Sequence, residues 1–137
     1  TIALGMVSFA SAASANVEID GFVCQTGEMN GAVHFNAKDN NSSIFKRKHL
    51  NVEVYDTDYK DPNSARKVIL SEKYELGGSY SLYRIGIWEY VNGVKKGRKL
   101  NAKAEVYISS SDQTLRRTYQ CDVNSYFDYN LGQKVFY

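Results

Sequence analysis

Cys24 and Cys121 carry the strongest chemistry available to this chain. Two thiols in a chain of one-domain size either stay buried and separate or join, and an oxidising export route favours joining them. The bridge would close 97 positions. In the chain-entropy account a loop of about 100 residues removes roughly 4.7 kcal/mol from the unfolded state, with strain and residual structure lowering the yield. Metal binding is the weaker use, because Cys24, Cys121, His34 and His49 show none of the tight paired spacing of zinc ligands. Asp56, Asp58 and Asp61 have the alternate spacing that opens a calcium loop but lack its Gly and closing Glu, so they read as a solvated loop. There is no Gly-x-Ser-x-Gly elbow and no phosphate loop, and a cysteine nucleophile would forfeit the disulfide. No catalytic residue, cofactor or metal is expected.

Two basic stretches could bind rather than react. Lys46, Arg47, Lys48 and His49 are candidate RNA or phosphate contacts, and Tyr90, Lys95, Lys96, Arg98, Lys99 and Lys103 form a candidate recognition surface, with Tyr107 near in sequence. Cations beside tyrosines can neutralise phosphates and stack bases, or anchor a protein partner. The formal net charge of +2, from 17 basic and 15 acidic side chains, lies far from that of a dedicated nucleic-acid binder. Global charge therefore names no partner.

These residues need a scaffold, and alternation supplies it. Leu50, Val52 and Val54 alternate with Asn51, Glu53 and Tyr55, as in a half-buried strand. Arg66 to Ser71 reads as a second strand, and Tyr80 to Trp88 as a long one with Tyr83, Ile85 and Ile87 on one face. Asn92-Gly93 is the best hairpin-turn signal. Ala104 to Ser109 points Val106 and Ile108 inward, Ser110 to Asp112 turns, and Leu115 to Cys121 reads as a last core strand. Thr26 as a cap, Glu28 in a first turn, and Met29, Ala32, Val33 and Ala37 at helical spacing predict one short helix ending at Asn40-Asn41. A strand through Ala32 to Phe35 is the alternative.

Thr1 to Ala15 is an apolar run followed by small residues ending Ala13-Ser14-Ala15, as at the end of a secretory signal, and it is too short to span a bilayer. Residues 16–137 then make one domain with an aromatic extension over 122–137, which either packs as a further strand or docks on a partner. Eleven tyrosines supply enough ring area to fill its core. Asn40 and Asn41 each head an Asn-x-Ser sequon, which places them in an exposed loop open to glycosylation.

Phe22-Val23-Cys24, Tyr83 to Ile87, Ala102 to Ile108 and Tyr119-Gln120-Cys121, in that order, resemble the ribonuclease-like secreted effectors of powdery mildew fungi. The resemblance implies an α+β fold: a small antiparallel sheet with one short helix, similar to guanyl-specific ribonucleases and closed by the one disulfide. It also implies an effector or avirulence protein of a plant pathogen, secreted and acting outside or inside the host cell. Its partner would be a host plant protein, an immune receptor or RNA, with no membrane. On that resemblance His49 would stand where the family's first histidine lies, but Arg84 replaces the glutamate and Lys103 and Glu105 stand on the strand of the arginine. No histidine follows His49. An enzyme of His49 and Glu53 alone would lack the acid that protonates the leaving oxygen, which implies a pseudo-ribonuclease. Val54-Tyr55-Asp56 with Asp58 and Asp61-Pro62 resembles nematode transthyretin-like secreted β-sandwiches instead, implying an extracellular carrier or structural domain, although that family carries more cysteines.

Overall fold

A computed structural model of the chain describes residues 17–43, 45, 47–57, 67–101 and 103–137. The segment read as a secretory signal lies outside them, as do Lys46, Asp58, Asp61, Arg66 and Ala102. Among the described residues twelve strands follow in order: β1 (Val17–Thr26), β2 (Gly31–Asp39), β3 (His49–Thr57), β4 (Lys67–Glu75), β5 (Ser81–Gly86), β6 (Trp88–Val91), β7 (Val94–Gly97), β8 (Lys103–Ser110), β9 (Arg116–Gln120), β10 (Asp122–Val123), β11 (Ser125–Asp128) and β12 (Gln133–Phe136). They form two four-stranded sheets, β10-β1-β2-β5 and β4-β3-β8-β9, and two separate hairpins, β6-β7 and β11-β12.

No helix occurs among the described residues, which overturns the expected α+β, ribonuclease-like fold. The segment read as helical is the end of β1, a turn and β2. Gly31, Val33, Phe35, Ala37 and Asp39 are buried in strict alternation with the half-buried residues between them, a period of two that only a strand satisfies. Thr26 caps nothing. It is fully buried and its hydroxyl donates to the Arg98 carbonyl.

One core fills the space between the layers. Val33, Phe35, Ala37 and Ile85 from the first sheet meet Leu50, Val52, Val54, Ala104, Val106 and Ile108 from the second. The expected inward faces of β3 and β8 are therefore correct. A bulge between Asp20 and Val23, with Gly21 at φ 64°, adds one residue to β1 and resets its phase. Val17 and Ile19 before it and Phe22 and Cys24 after it consequently all join the core or pack on it. Five rings cross the interior in sequence. Tyr119 of β9 stacks on Phe22 with centroids 4.0 Å apart, Phe22 lies 6.3 Å from Phe35, Phe35 5.6 Å from Tyr83, and Tyr83 5.5 Å from Tyr74 of β4. Because β9 and β4 are opposite edges of the second sheet, the ring series runs from one edge through the first sheet to the other edge.

Two strands differ from expectation. The run from Tyr80 to Trp88 is broken at Ile87, whose N–H donates to Gly31 and whose carbonyl accepts from Arg98, so β6 leaves the sheet there. β9 is an edge strand: Arg116, Arg117, Thr118 and Gln120 are exposed, and Tyr119 reaches the core cluster.

Cys24 is bonded to Cys121, with Cα atoms 4.9 Å apart. Cys121 is the one residue between β9, in the second sheet, and β10, which pairs in parallel with β1 in the first. Its N–H still donates to Ala104 of β8. The bond therefore pins the point where the chain passes from one layer to the other.

The end of the sandwich that holds the end of β2 and the start of β3 is fastened by charge. Asp39 is fully buried, and its carboxylate accepts from Lys48 Nζ at 2.9 Å and from the Asn41 N–H at 3.0 Å. Lys48 also lies 3.3 Å from Asp112 in the turn between β8 and β9. Burial opposes the charge on Lys48, but the hydrogen bonds to Asp39 and Asp112 outweigh it and raise its pKa. Asp112 is likewise penalised by burial, yet bonds from the Ser110 hydroxyl, the Thr114 N–H and hydroxyl, and Lys48 hold its carboxyl well below the usual carboxylate range.

These contacts set three outcomes. Cys24→Ala should lower the unfolding free energy by about 2–5 kcal/mol in chemical denaturation, the usual cost of losing a native disulfide in a small domain. Lys48→Met, which leaves Asp39 buried without its cation, should cost about 3 kcal/mol. The folded Asp112 binds a proton less readily than the unfolded one, so its contribution is present at neutral pH and is lost as pH falls below the ordinary aspartate range near 4. Thermal melts from pH 5 to pH 2 should show that loss, and Asp112→Asn should make it shallower.

Candidate functional site

The two basic stretches lie at opposite ends of the sandwich. β2 and β3 run antiparallel to one another's direction between the ends, so Asp39 and His49 mark one end, while Gly31, Gly86 and Lys103 mark the other. At the first end the candidate phosphate contacts are engaged in structure. Lys48 holds Asp39 and Asp112, Arg47 lies 3.3 Å from Glu75, and the His49 backbone exchanges hydrogen bonds with Ser111. Lys46 falls outside the described residues. His49 and Glu53 are both on the outer face of β3 but four residues apart, which at about 3.3 Å per residue separates them by roughly 13 Å. Glu53 instead accepts a hydrogen bond from Tyr55 at 2.8 Å. The two groups therefore do not share one reaction centre.

The second end carries the recognition surface as a projecting finger, β6-β7. Asn92 and Gly93 take φ values of 51° and 78°, the positive pair that a two-residue type I′ turn requires, so this turn forms where the sequence placed it. The finger is mounted firmly at its base. Gly97 lies against the backbone of Gly27 and Asn30 in the turn between β1 and β2, and Thr26 bonds to Arg98. Its tip is exposed and apolar: Tyr90 is 72% exposed, Val91 and Val94 are also exposed, and Trp88 is exposed nearer the base. Lys95 Nζ lies over the Trp88 ring, 4.9 Å from the centroid.

The cations are not equivalent. Glu28 reaches Lys96 at 3.3 Å and Lys99 at 3.8 Å, which relieves the repulsion expected within this run. Lys99 also lies over the Tyr137 ring at 5.0 Å, and Lys103 pairs with Glu105 at 3.1 Å on the outer face of the second sheet. Lys95 is left against an aromatic face, at the solvent edge of the finger. Among the described residues no group of three or more His, Cys, Asp or Glu side chains could hold a metal ion, and no helix is long and apolar enough to cross a membrane. Asp56 accepts hydrogen bonds from Asn101, and Asn40 and Asn41 stand exposed in the turn after β2.

The aromatic extension packs on the protein. β10 joins β1, and β11-β12 folds beside the turn between β1 and β2, where the Met29 N–H donates to the Tyr137 hydroxyl at 2.7 Å and Tyr126 meets Tyr137 at 5.5 Å. Phe127, Tyr129, Leu131 and Phe136 nevertheless remain exposed. The sequence named the aromatic content of this segment but not the faces it leaves open, because its fixed point is Met29, 108 positions away from Tyr137.

No family model and no curated protein matches the chain. Among solved structures it is similar to a Se-Met-labelled β-glucosidase from Kluyveromyces marxianus, at TM-score 0.43 and 16% identity over 80% of this chain and 15% of that one. It is similar also to the β-glucosidase from the same organism in complex with glucose, at TM-score 0.43 and 14% identity over 90% of this chain and 15% of that one. The chain thus spans about 15% of the length of these enzymes, and a likeness at this level assigns neither family nor activity.

Proposed function

We propose that the protein is an exported, non-catalytic recognition module that engages a macromolecular partner through the β6-β7 finger. The observation that carries this reading is an exposed apolar tip, Tyr90, Val91 and Val94, edged by Lys95 and held out from a disulfide-locked sandwich. Exposed apolar groups rimmed by charge are what a binding partner covers, and Tyr, Trp and Arg are the usual anchors. Export is supported by the small-residue end of the opening segment and by a disulfide suited to an oxidising compartment.

The narrower role is that of a fungal effector that engages a host plant protein or RNA and is open to detection by an immune receptor. It is proposed on the sequence resemblance alone, without the ribonuclease-like scaffold. One observation favours a second reading, the extracellular transthyretin-like carrier or structural domain: two stacked, largely antiparallel sheets with no helix among the described residues.

Tyr90→Ala and Lys95→Glu should each leave the melting temperature nearly unchanged, because both side chains are exposed. Captured from plant extract, a specific partner should bind these variants at least about ten-fold more weakly, measured by surface plasmon resonance. Lys96 and Lys99 are poorer test positions because their reversal would also set two carboxylates against Glu28. Equal binding by wild type and both variants would remove the finger from recognition. In parallel, guanine-containing RNA should be cleaved no faster by the wild type than by His49→Ala, and His49-dependent turnover would overturn the non-catalytic reading.

A further inference from the structure

A cleft of about 440 Å³, separate from the finger, lies on the outer face of the first sheet beneath the C-terminal hairpin, lined by Val23, Gln25, His34, Phe127, Tyr129 and Lys134. Its volume is within the range of ligand pockets. The floor follows from strand alternation. Cys24 and Thr26 point into the core, so Val23 and Gln25 point out, as does His34 between buried Val33 and Phe35. The wall is the hairpin β11-β12, which is held over the floor at several points. β10 pairs with β1 at Gln25 and Thr26, Lys134 bonds to Asp122, and Tyr137 accepts from Met29.

We infer that this cleft binds an oligosaccharide bearing carboxylate groups. Phe127 and Tyr129 meet edge to face with centroids 5.1 Å apart, and Tyr129 is 89% exposed. The phenol ring of Tyr129 thus offers solvent a large apolar surface on a built support, which a water-exposed apolar group retains at a cost unless something covers it. The C–H face of a pyranose ring is flat, weakly polar and of matching size, and it packs on such rings without dehydrating a charge. The rim suits the rest of a sugar: the Gln25 amide and His34 imidazole can each donate to and accept from hydroxyls.

Arg84 selects the acid. Lys134 lines the cleft but is ion-paired with Asp122, whereas Arg84 of β5 stands beside the lining, directly across from His34 in the register, exposed and with no ion pair among the described residues. A guanidinium on a flat sheet face can take a carboxylate by two parallel hydrogen bonds. A neutral glycan would leave the Arg84 guanidinium unused, whereas Lys134 is already held by Asp122. A nucleic acid strand would need a longer basic track than these side chains and a net charge of +2 supply.

The test is isothermal titration of the full chain with oligogalacturonate, with cello-oligosaccharide and oligouridylate as comparison ligands. Oligogalacturonate should bind, and Tyr129→Ala and Arg84→Gln should each weaken it about ten-fold or more while leaving the melting temperature unchanged. Added salt should weaken binding through loss of the ion pair. Tyr90→Ala, in the finger, should bind the sugar as the wild type does, so failure of the cleft and failure of the finger are separable. Absence of oligogalacturonate binding, equal binding by cello-oligosaccharide, indifference to both variants, or tighter binding of oligouridylate lost in Tyr129→Ala would each overturn the inference.

Discussion

Cys121 stands alone between β9 and β10, yet those strands belong to different layers. A chain that changes sheet within one residue must bend sharply, and both flanking strands are short and lie at sheet edges. The bond to Cys24, together with the Cys121 N–H to Ala104, fixes that corner to the middle of both sheets. Everything that follows Cys121 depends on it. The pairing of β10 with β1 spans only two residue pairs, and without the corner it would have little to hold it. The C-terminal hairpin and the cleft beneath it inherit their position from this crossing.

The two ends of the sandwich divide the charge differently. At the end near His49, Lys48 is committed to Asp39 and Asp112 and Arg47 to Glu75, so the cations act on the fold. At the other end the charges sit on a finger whose tip is apolar, and one carboxylate, Glu28, steadies two lysines at its base while Lys95 rests on Trp88. A run of cations in sequence therefore says little until the positions of the opposing carboxylates are known. Asp39 is the clearest case, because an acid at an inward position of a strand needs the lysine that comes nine residues later.

What the sequence revealed was local. β3 and β8 were legible because apolar and polar residues alternate cleanly, and the Asn92-Gly93 turn because its chemistry needs two adjacent positive φ values. The segment 26–37 was misread as a helix because Met29, Ala32, Val33 and Ala37 also satisfy a 3.6-residue period. Small outward Ala32 blurs the alternation of Val33, Phe35 and Ala37, and Asn40-Asn41 resembles a helix end. The bulge at Gly21, the break at Ile87 and the pairing of Glu28 with Lys96 and Lys99 rest on partners distant in sequence, and no local pattern announces them. The disulfide was legible as arithmetic on two cysteines, but its place at a layer crossing was not.

The position of β8 bears on how the fold is reached in time. β8 lies between β3 and β9 and supplies Ala104, Val106 and Ile108 to the interior, so the second layer cannot be completed until that late stretch of chain exists. Until then a nascent chain can form only the β1-β2-β5 part of the first sheet and isolated hairpins such as β3 with β4, with no completed layer facing them. Assembly is therefore governed by distant pairings, whose loop-closure entropy must be met before they reward the chain, and such topologies fold slowly. Vectorial synthesis would deliver one uncovered sheet and weak hairpins first and a cooperative structure only once the region around Cys121 has emerged.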